Sequence, residues 1–219
     1  MALRKVALFD MDKTLISRNS AELYIQWQRA RGEATTWDQL KLSGWLLQYA
    51  VGWLDAPRVA ERVIRGYAGT REQELRDRCD EWFRSSVEIF VSEAGQRAVE
   101  RHKARGDLTG IVTASTLYAS EPLKRKLGLD FVISTELELD DQGCLTGRYV
   151  KPLCYGPGKV ERVERLLRSY DLSLADACFY SDSITDLPLL EAVAERVVIN
   201  PDRRLARLAR SRGWTIERW

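Results

Sequence analysis

Apolar and polar positions follow two different rhythms along this chain. A short apolar run over 5–9 reads as a buried strand that stops at a pair of aspartates. From Asn19 to Ser86 the apolar residues instead recur at helical spacing. Leu42, Leu46, Tyr49 and Trp53 share one face, as do Leu75, Cys79, Trp82 and Phe83, and the stretch predicts four amphipathic helices. Asn19 with Glu22, Thr36 with Gln39, and Thr70 with Gln73 have capping-box spacing, and Pro57 suits a first helical turn. Beyond 86 the rhythm alternates. A helix over 93–105 leads to a strand over 108–113, and a helix over 121–127 stops at Gly128 before a strand over 131–134. Segments 135–140 and 144–150 form a predicted hairpin around Asp141-Gln142-Gly143. Val160, Val163, Leu167 and Tyr170 mark the next helix. A strand over 177–180, a helix over 187–193, a strand over 197–199 and a basic helix over 203–210 complete the pattern.

Alternating strands and helices predict an α/β fold, a mostly parallel sheet with helices on both faces. Sites in such sheets lie at the carboxyl ends of the strands. The helical block is then an insertion after the first strand, near that edge, where it can act as a lid. The chain shows no repeat and no low-complexity segment.

Composition narrows the field. The 219 residues, 45% of them hydrophobic, suffice for one large or two small cores. A net charge of +2 with 30% charged residues demands no polyanionic partner, so nucleic acid is not expected. No apolar run has membrane-spanning length and the N-terminus lacks a signal-peptide pattern. Cys79, Cys144, Cys154 and Cys178 form no CxxC pair and read as buried or incidental thiols of a reducing cytoplasm. The single histidine, His102, excludes His-rich zinc sites and reads as structural or surface.

The chemistry gathers after the strands. Residues two apart on a strand face the same way, so Asp10 and Asp12 can converge. Converging anions call for a cation or a shared proton, although aspartates also populate turns for local reasons. After the second strand comes Thr113-Ala114-Ser115. After 177–180 comes Ser181-Asp182-Ser183, with Asp186 four residues beyond Asp182, and Lys159 opens a helix. Singly these are a strand-end hydroxyl, a solvated lysine and helix caps. As an ordered set they suit phosphoryl transfer, which needs an in-line nucleophile, neutralised equatorial oxygens and a proton for the leaving oxygen. Competing phosphate motifs fail: Ser85 stands where C-x5-R requires arginine after Cys79, and Gly156-Pro157-Gly158-Lys159-Val160 is not a Walker loop.

Asp10-Met11-Asp12-Lys13-Thr14-Leu15, Thr113, Lys159 and Ser181-Asp182 through Asp186 resemble, in order, the four motifs of the haloacid dehalogenase superfamily. The helical insertion, Lys126-Leu127-Gly128-Leu129-Asp130 and the hairpin with Leu145-Thr146-Gly147 resemble its phosphoserine-phosphatase-like branch. The resemblance implies a Rossmann-like core over 1–16 and 89–219 with a helical cap over 17–88. It implies Asp10 as nucleophile and Asp12 as proton donor, then base. Thr113, the Ala114 amide and Lys159 would hold phosphate, and Met11 and Asn19 would also contact the substrate. Magnesium would sit on Asp10, Asp182 and the Asp12 carbonyl, with Asp186 supporting its water. Ser181-Asp182-Ser183 replaces the Gly-Asp-Gly of many relatives but keeps the carboxylates.

The implied substrate is a small phosphomonoester. Phosphoserine phosphatases carry an amine-binding glutamate where this chain has Asn19, with Glu22 one turn on as either a stand-in or a cap partner. That departure turns the reading toward histidinol phosphate, then phosphoserine, with Tyr24, Trp27, Trp45 and Trp53 offering aromatic faces for an imidazole or ammonium group. Two alternatives stand: a phosphotransferase on the same scaffold, and an idle binding module using Arg203, Arg204, Arg207 and Arg210 as a basic face. The sequence leaves the oligomeric state open.

Overall fold

The computed structural model describes residues 5–35 and 56–219. Its centre is a sheet of six parallel strands: β1 (Val6–Phe9), β2 (Leu108–Thr116), β3 (Phe131–Thr135), β6 (Ala177–Ser181), β7 (Glu195–Ile199) and β8 (Ile216–Glu217), in the order β3-β2-β1-β6-β7-β8. A separate antiparallel hairpin joins β4 (Leu137–Leu139) to β5 (Leu145–Tyr149). Among the described residues there are eight α-helices: α1 (Ser20–Ala30), α2 (Ala56–Arg65), α3 (Glu72–Trp82), α4 (Glu93–Ala104), α5 (Leu117–Leu127), α6 (Pro157–Arg168), α7 (Leu187–Ala192) and α8 (Arg203–Ser211). No helix there is long and apolar enough to cross a membrane.

β1 is buried on both faces, and its alternation divides the core in two. Ala7 and Phe9 point into a cluster with Ala98 and Val99 of α4 and Leu123 and Leu127 of α5. Val6 and Leu8 point into a second cluster with Val163 and Leu167 of α6, Leu189 and Leu190 of α7, and Leu205 of α8. The first cluster continues into the inserted block through Leu23, Trp27, Trp82 and Phe83. A third cluster, Ile64, Leu75, Cys79, Tyr118, Leu137 and Leu145, joins α2 and α3 to α5 and the hairpin.

The predicted stripe Leu75, Cys79, Trp82, Phe83 is buried as expected. The stripe 42–53 and the Thr36 capping box lie outside the described residues. Thr70 does not cap its helix. Its carbonyl accepts from the Leu145 amide at 2.8 Å, Arg71 bridges Cys144, and the helix begins only at Glu72. Pairing with the hairpin therefore displaces the local cap. α5 starts four residues before the predicted Glu121, with Pro122 inside it. Burial of Tyr118, Leu123 and Leu127 carries the helix past a residue that normally stays in the first turn. Tyr170 lies beyond the end of α6, and β8, two residues on the sheet edge, was not expected.

His102 is buried and structural. Its ring nitrogens meet Asp107 at 2.8 Å and the Tyr180 hydroxyl at 2.9 Å, tying α4 to the sheet. Cys79, Cys154 and Cys178 are buried, and burial pushes each thiol up to about 12, so none is a ready thiolate.

Candidate active site

Strand register sets the site. Phe9 pairs with Ile111 on one side and Tyr180 on the other. Asp10, Thr113 and Asp182 each follow within two residues, so three polar groups emerge together at the carboxyl ends of the central strands. The Asp10 amide still donates to the Tyr180 carbonyl at 2.9 Å, which fixes Asp10 at the sheet edge. The chain then turns through Lys13, at φ 54°, and closes with the Ile16 amide donating to the Met11 carbonyl at 3.0 Å.

Lys159 arrives from the first turn of α6. Gly156 precedes that helix at φ 51° and ψ −124°, a conformation open to glycine, and Pro157 starts it. Gly158 lies so close to Leu153 that an added Cβ would stand 2.0 Å from the Leu153 carbonyl oxygen. One turn on, the buried Arg162 donates to the carbonyls of Pro152 and Val150 and pairs with Glu136 at 2.6 Å. These contacts lock the helix start, and Lys159 Nζ reaches Asp10 Oδ1 and Asp186 Oδ1, each at 2.7 Å. Ser181 Oγ donates to the other Asp186 oxygen at 2.7 Å. Asp202 shapes the loop after β6: it accepts from the Ile184 amide at 2.7 Å while capping α8.

Asp186 has one oxygen on Lys159 and the other on Ser181. Met11 is fully buried in the core cluster, and its carbonyl accepts from the Ile16 amide. Thr113 is buried with its Oγ1 accepting from the Ser115 amide at 3.1 Å, beside an exposed Ala114. The β2–β3 ladder shifts register between Val112 and Thr116, an irregularity that falls at these residues. Asn19 is half-buried, caps α1 through the Glu22 amide, and approaches Asp12 at 3.4 Å. The Glu22 carboxylate meets Gln26 at 3.2 Å and Arg18 at 3.6 Å. Tyr24 and Trp27 are not free aromatic faces. Arg31 and Arg78 lie over the Trp27 ring, and Arg78 also donates to the Tyr24 hydroxyl. Trp45 and Trp53 lie outside the described residues. Arg203, Arg204, Arg207 and Arg210 form an exposed face of α8.

Electrostatics separates the carboxyls. Burial pushes Asp10 up to about 7, against the pull of Lys159, and pushes Asp182 up to about 8, with Asp10 and Asp186 adding repulsion. Burial also raises Asp12, which hydrogen bonds from Ser20 oppose. Lys159 is held firmly protonated by its two aspartates. Asp182 is 7% exposed, and its carboxylate accepts no hydrogen bond from a described residue. Asp10, Asp12, Asp182 and Asp186 outnumber the two lysines that act on them, Lys159 and Lys13, which leaves a deficit of positive charge. No three Asp, Glu, His or Cys side chains among the described residues could hold a metal alone. The donor set is all oxygen, with two carboxylates not fully committed. That suits magnesium, which takes one or two carboxylates and completes its shell with waters and phosphate. Sequence reasoning named Ser181 only as part of its motif, without a role, and missed Ser20 and Asp202, of which Asp202 carried a legible signal as an aspartate immediately before a predicted helix.

The signature of haloacid dehalogenase-like hydrolases matches residues 7–191. A solved Bordetella pertussis protein of unknown function superposes with a TM-score of 0.87 at 32% identity, covering 98% of each chain. A histidinol-phosphatase of Neisseria meningitidis serogroup C is 27% identical, over 98% of both chains. A phosphoserine phosphatase of Mycobacterium tuberculosis is 31% identical, over 98% of this chain and 70% of its own. The chain belongs to the haloacid dehalogenase-like hydrolases and is an enzyme of their phosphoserine-phosphatase-like branch of phosphatases.

Proposed function

We propose that the protein is a magnesium-dependent phosphatase that hydrolyses a small phosphomonoester through a phosphoryl group carried on Asp10. The observation that supports this most is the buried Lys159 bridging Asp10 and Asp186 at 2.7 Å each, with Asp182 left without a donor among the described residues. Asp10 attacks phosphorus, and Asp12 gives its proton to the departing alkoxide as the ester bond breaks. Asp12, now a carboxylate, takes a proton from water, and that water attacks phosphorus to release phosphate and restore Asp10. Lys159, the Thr113 hydroxyl and the Ala114 amide hold the phosphoryl oxygens while charge redistributes. Magnesium on Asp10, Asp182 and the Asp12 carbonyl would supply further positive charge against the phosphate. Residues 17–88 serve as the cap that closes over this edge.

For the substrate we infer an amino-alcohol phosphate, histidinol phosphate before phosphoserine. Asn19 is neutral and its carbonyl oxygen is spent on capping α1, so it offers no anion for an amine. The Neisseria relative matches over nearly the full length of both chains. Phosphate release from histidinol phosphate, phosphoserine, sugar phosphates and nucleotides, with and without magnesium, tests both parts. The expected result is magnesium-dependent release led by histidinol phosphate, and none from Asp10→Asn. Turnover of phosphoserine alone would remove the substrate reading, and full activity in Asp10→Asn would remove the nucleophile. Release without an added acceptor separates hydrolysis from transfer to another alcohol.

A further inference from the structure

Ser20 donates twice to Asp12. Its amide reaches Oδ1 at 2.9 Å and its hydroxyl reaches Oδ2 at 3.0 Å. Ser20 is the first residue of α1 and is 5% exposed. The helix does not need these bonds for its own cap, because Asn19 already accepts from the Glu22 amide. An N-terminal amide of a helix is short of a partner and favours a negative one. Two donors on one residue, one to each oxygen, fix the rotation of the carboxyl plane in a way that a single bond does not.

We infer that Ser20 is the positioning residue for Asp12, aiming its carboxyl at the leaving oxygen and making the docking of the first cap helix a condition for protonating that oxygen. The inference rests on the reading of Asp12 as proton donor. Ser20 touches neither phosphate nor metal in this scheme; it acts through Asp12. Removing its hydroxyl leaves the amide on Oδ1 and only the longer 3.4 Å contact of Asn19 Nδ2 on Oδ2, so the carboxyl plane is held less tightly.

The test is the dependence of kcat/KM on leaving-group basicity, measured with 4-nitrophenyl phosphate, phenyl phosphate and simple alkyl phosphates. This parameter reports only the steps up to departure of the leaving group, so water attack on the phosphorylated enzyme does not enter it. In Ser20→Ala, kcat/KM should fall roughly tenfold on phenyl phosphate and less on 4-nitrophenyl phosphate, whose leaving group needs no proton. Ser20→Thr, which keeps the hydroxyl, should return the slope to the wild-type value, with circular dichroism unchanged in both variants. A parallel loss across the series in Ser20→Ala, or none, overturns the inference. Asp12→Asn run in the same series separates the two levels. If it steepens the slope while Ser20→Ala does not, only the role of Ser20 falls. If it leaves the slope unchanged, the proton-donor reading falls with it.

Discussion

Lys159 stands between two carboxylates while the Asp182 carboxylate accepts no hydrogen bond from a described residue, and that asymmetry governs how the site answers to pH. Asp10 at about 7 and Asp182 at about 8 both lie above the ordinary carboxylate range, chiefly through burial. The folded chain therefore holds these protons more tightly than the unfolded one. Their contribution to stability is complete below the unfolded carboxylate range and is lost as pH rises through about 7 to 8. A divalent cation competes for the same oxygens, so magnesium should bind weakly at about pH 6 and more tightly at about pH 8.5. Thermal melts of metal-free protein with added magnesium should show the larger rise in Tm at the higher pH. Equal shifts at both would contradict the assignment of Asp10 and Asp182 to the cation.

The elements position these residues through contacts that differ in how plainly the sequence announces them. The ends of β1 and β6 were legible because each is an apolar run broken abruptly by polar residues, and the parallel register then brings Asp10 and Asp182 within one residue of level. The start of α5 was not, because Pro122 suggests a first turn and only tertiary burial of Tyr118 overrides it. Thr70 was misread for a related reason: its backbone pairs with Leu145, seventy-five positions away in sequence, and no local pattern records that. Ser20 was invisible as a partner of Asp12 because its neighbour Asn19 carries the ordinary capping signal. Gly158 reads in the sequence only as part of an unsuitable phosphate loop, yet it lets α6 approach Leu153. Gly158→Ala would place a Cβ 2.0 Å from a backbone oxygen, so the helix start must move and carry Lys159 with it. The expected cost is roughly 1–3 kcal/mol, with a larger loss of kcat than the stability change explains. Denaturant unfolding and kinetics on the same sample check this, and a stable, fully active variant would show that the helix start is not set by this contact.

At the scale of the molecule, the inserted helices share the core of the sheet. Leu23, Trp27, Trp82 and Phe83 lie in one buried cluster with Phe9, Ile111 and Tyr180, and Leu145 of the hairpin packs with Ile64 and Leu75. Cap and core should accordingly unfold together, in one calorimetric transition whose van't Hoff and calorimetric enthalpies agree. Two resolved transitions would mean that the cap is an independent unit. In this scheme the strand ends act as one phosphoryl-transfer site with Asp10 as the acceptor. The most direct measurement is peptide mass mapping of enzyme quenched in acid during turnover. The account predicts one added phosphoryl group, on the peptide containing Asp10 and absent from Asp10→Asn; turnover with the phosphoryl group on another residue, or undiminished turnover in Asp10→Asn, would contradict it.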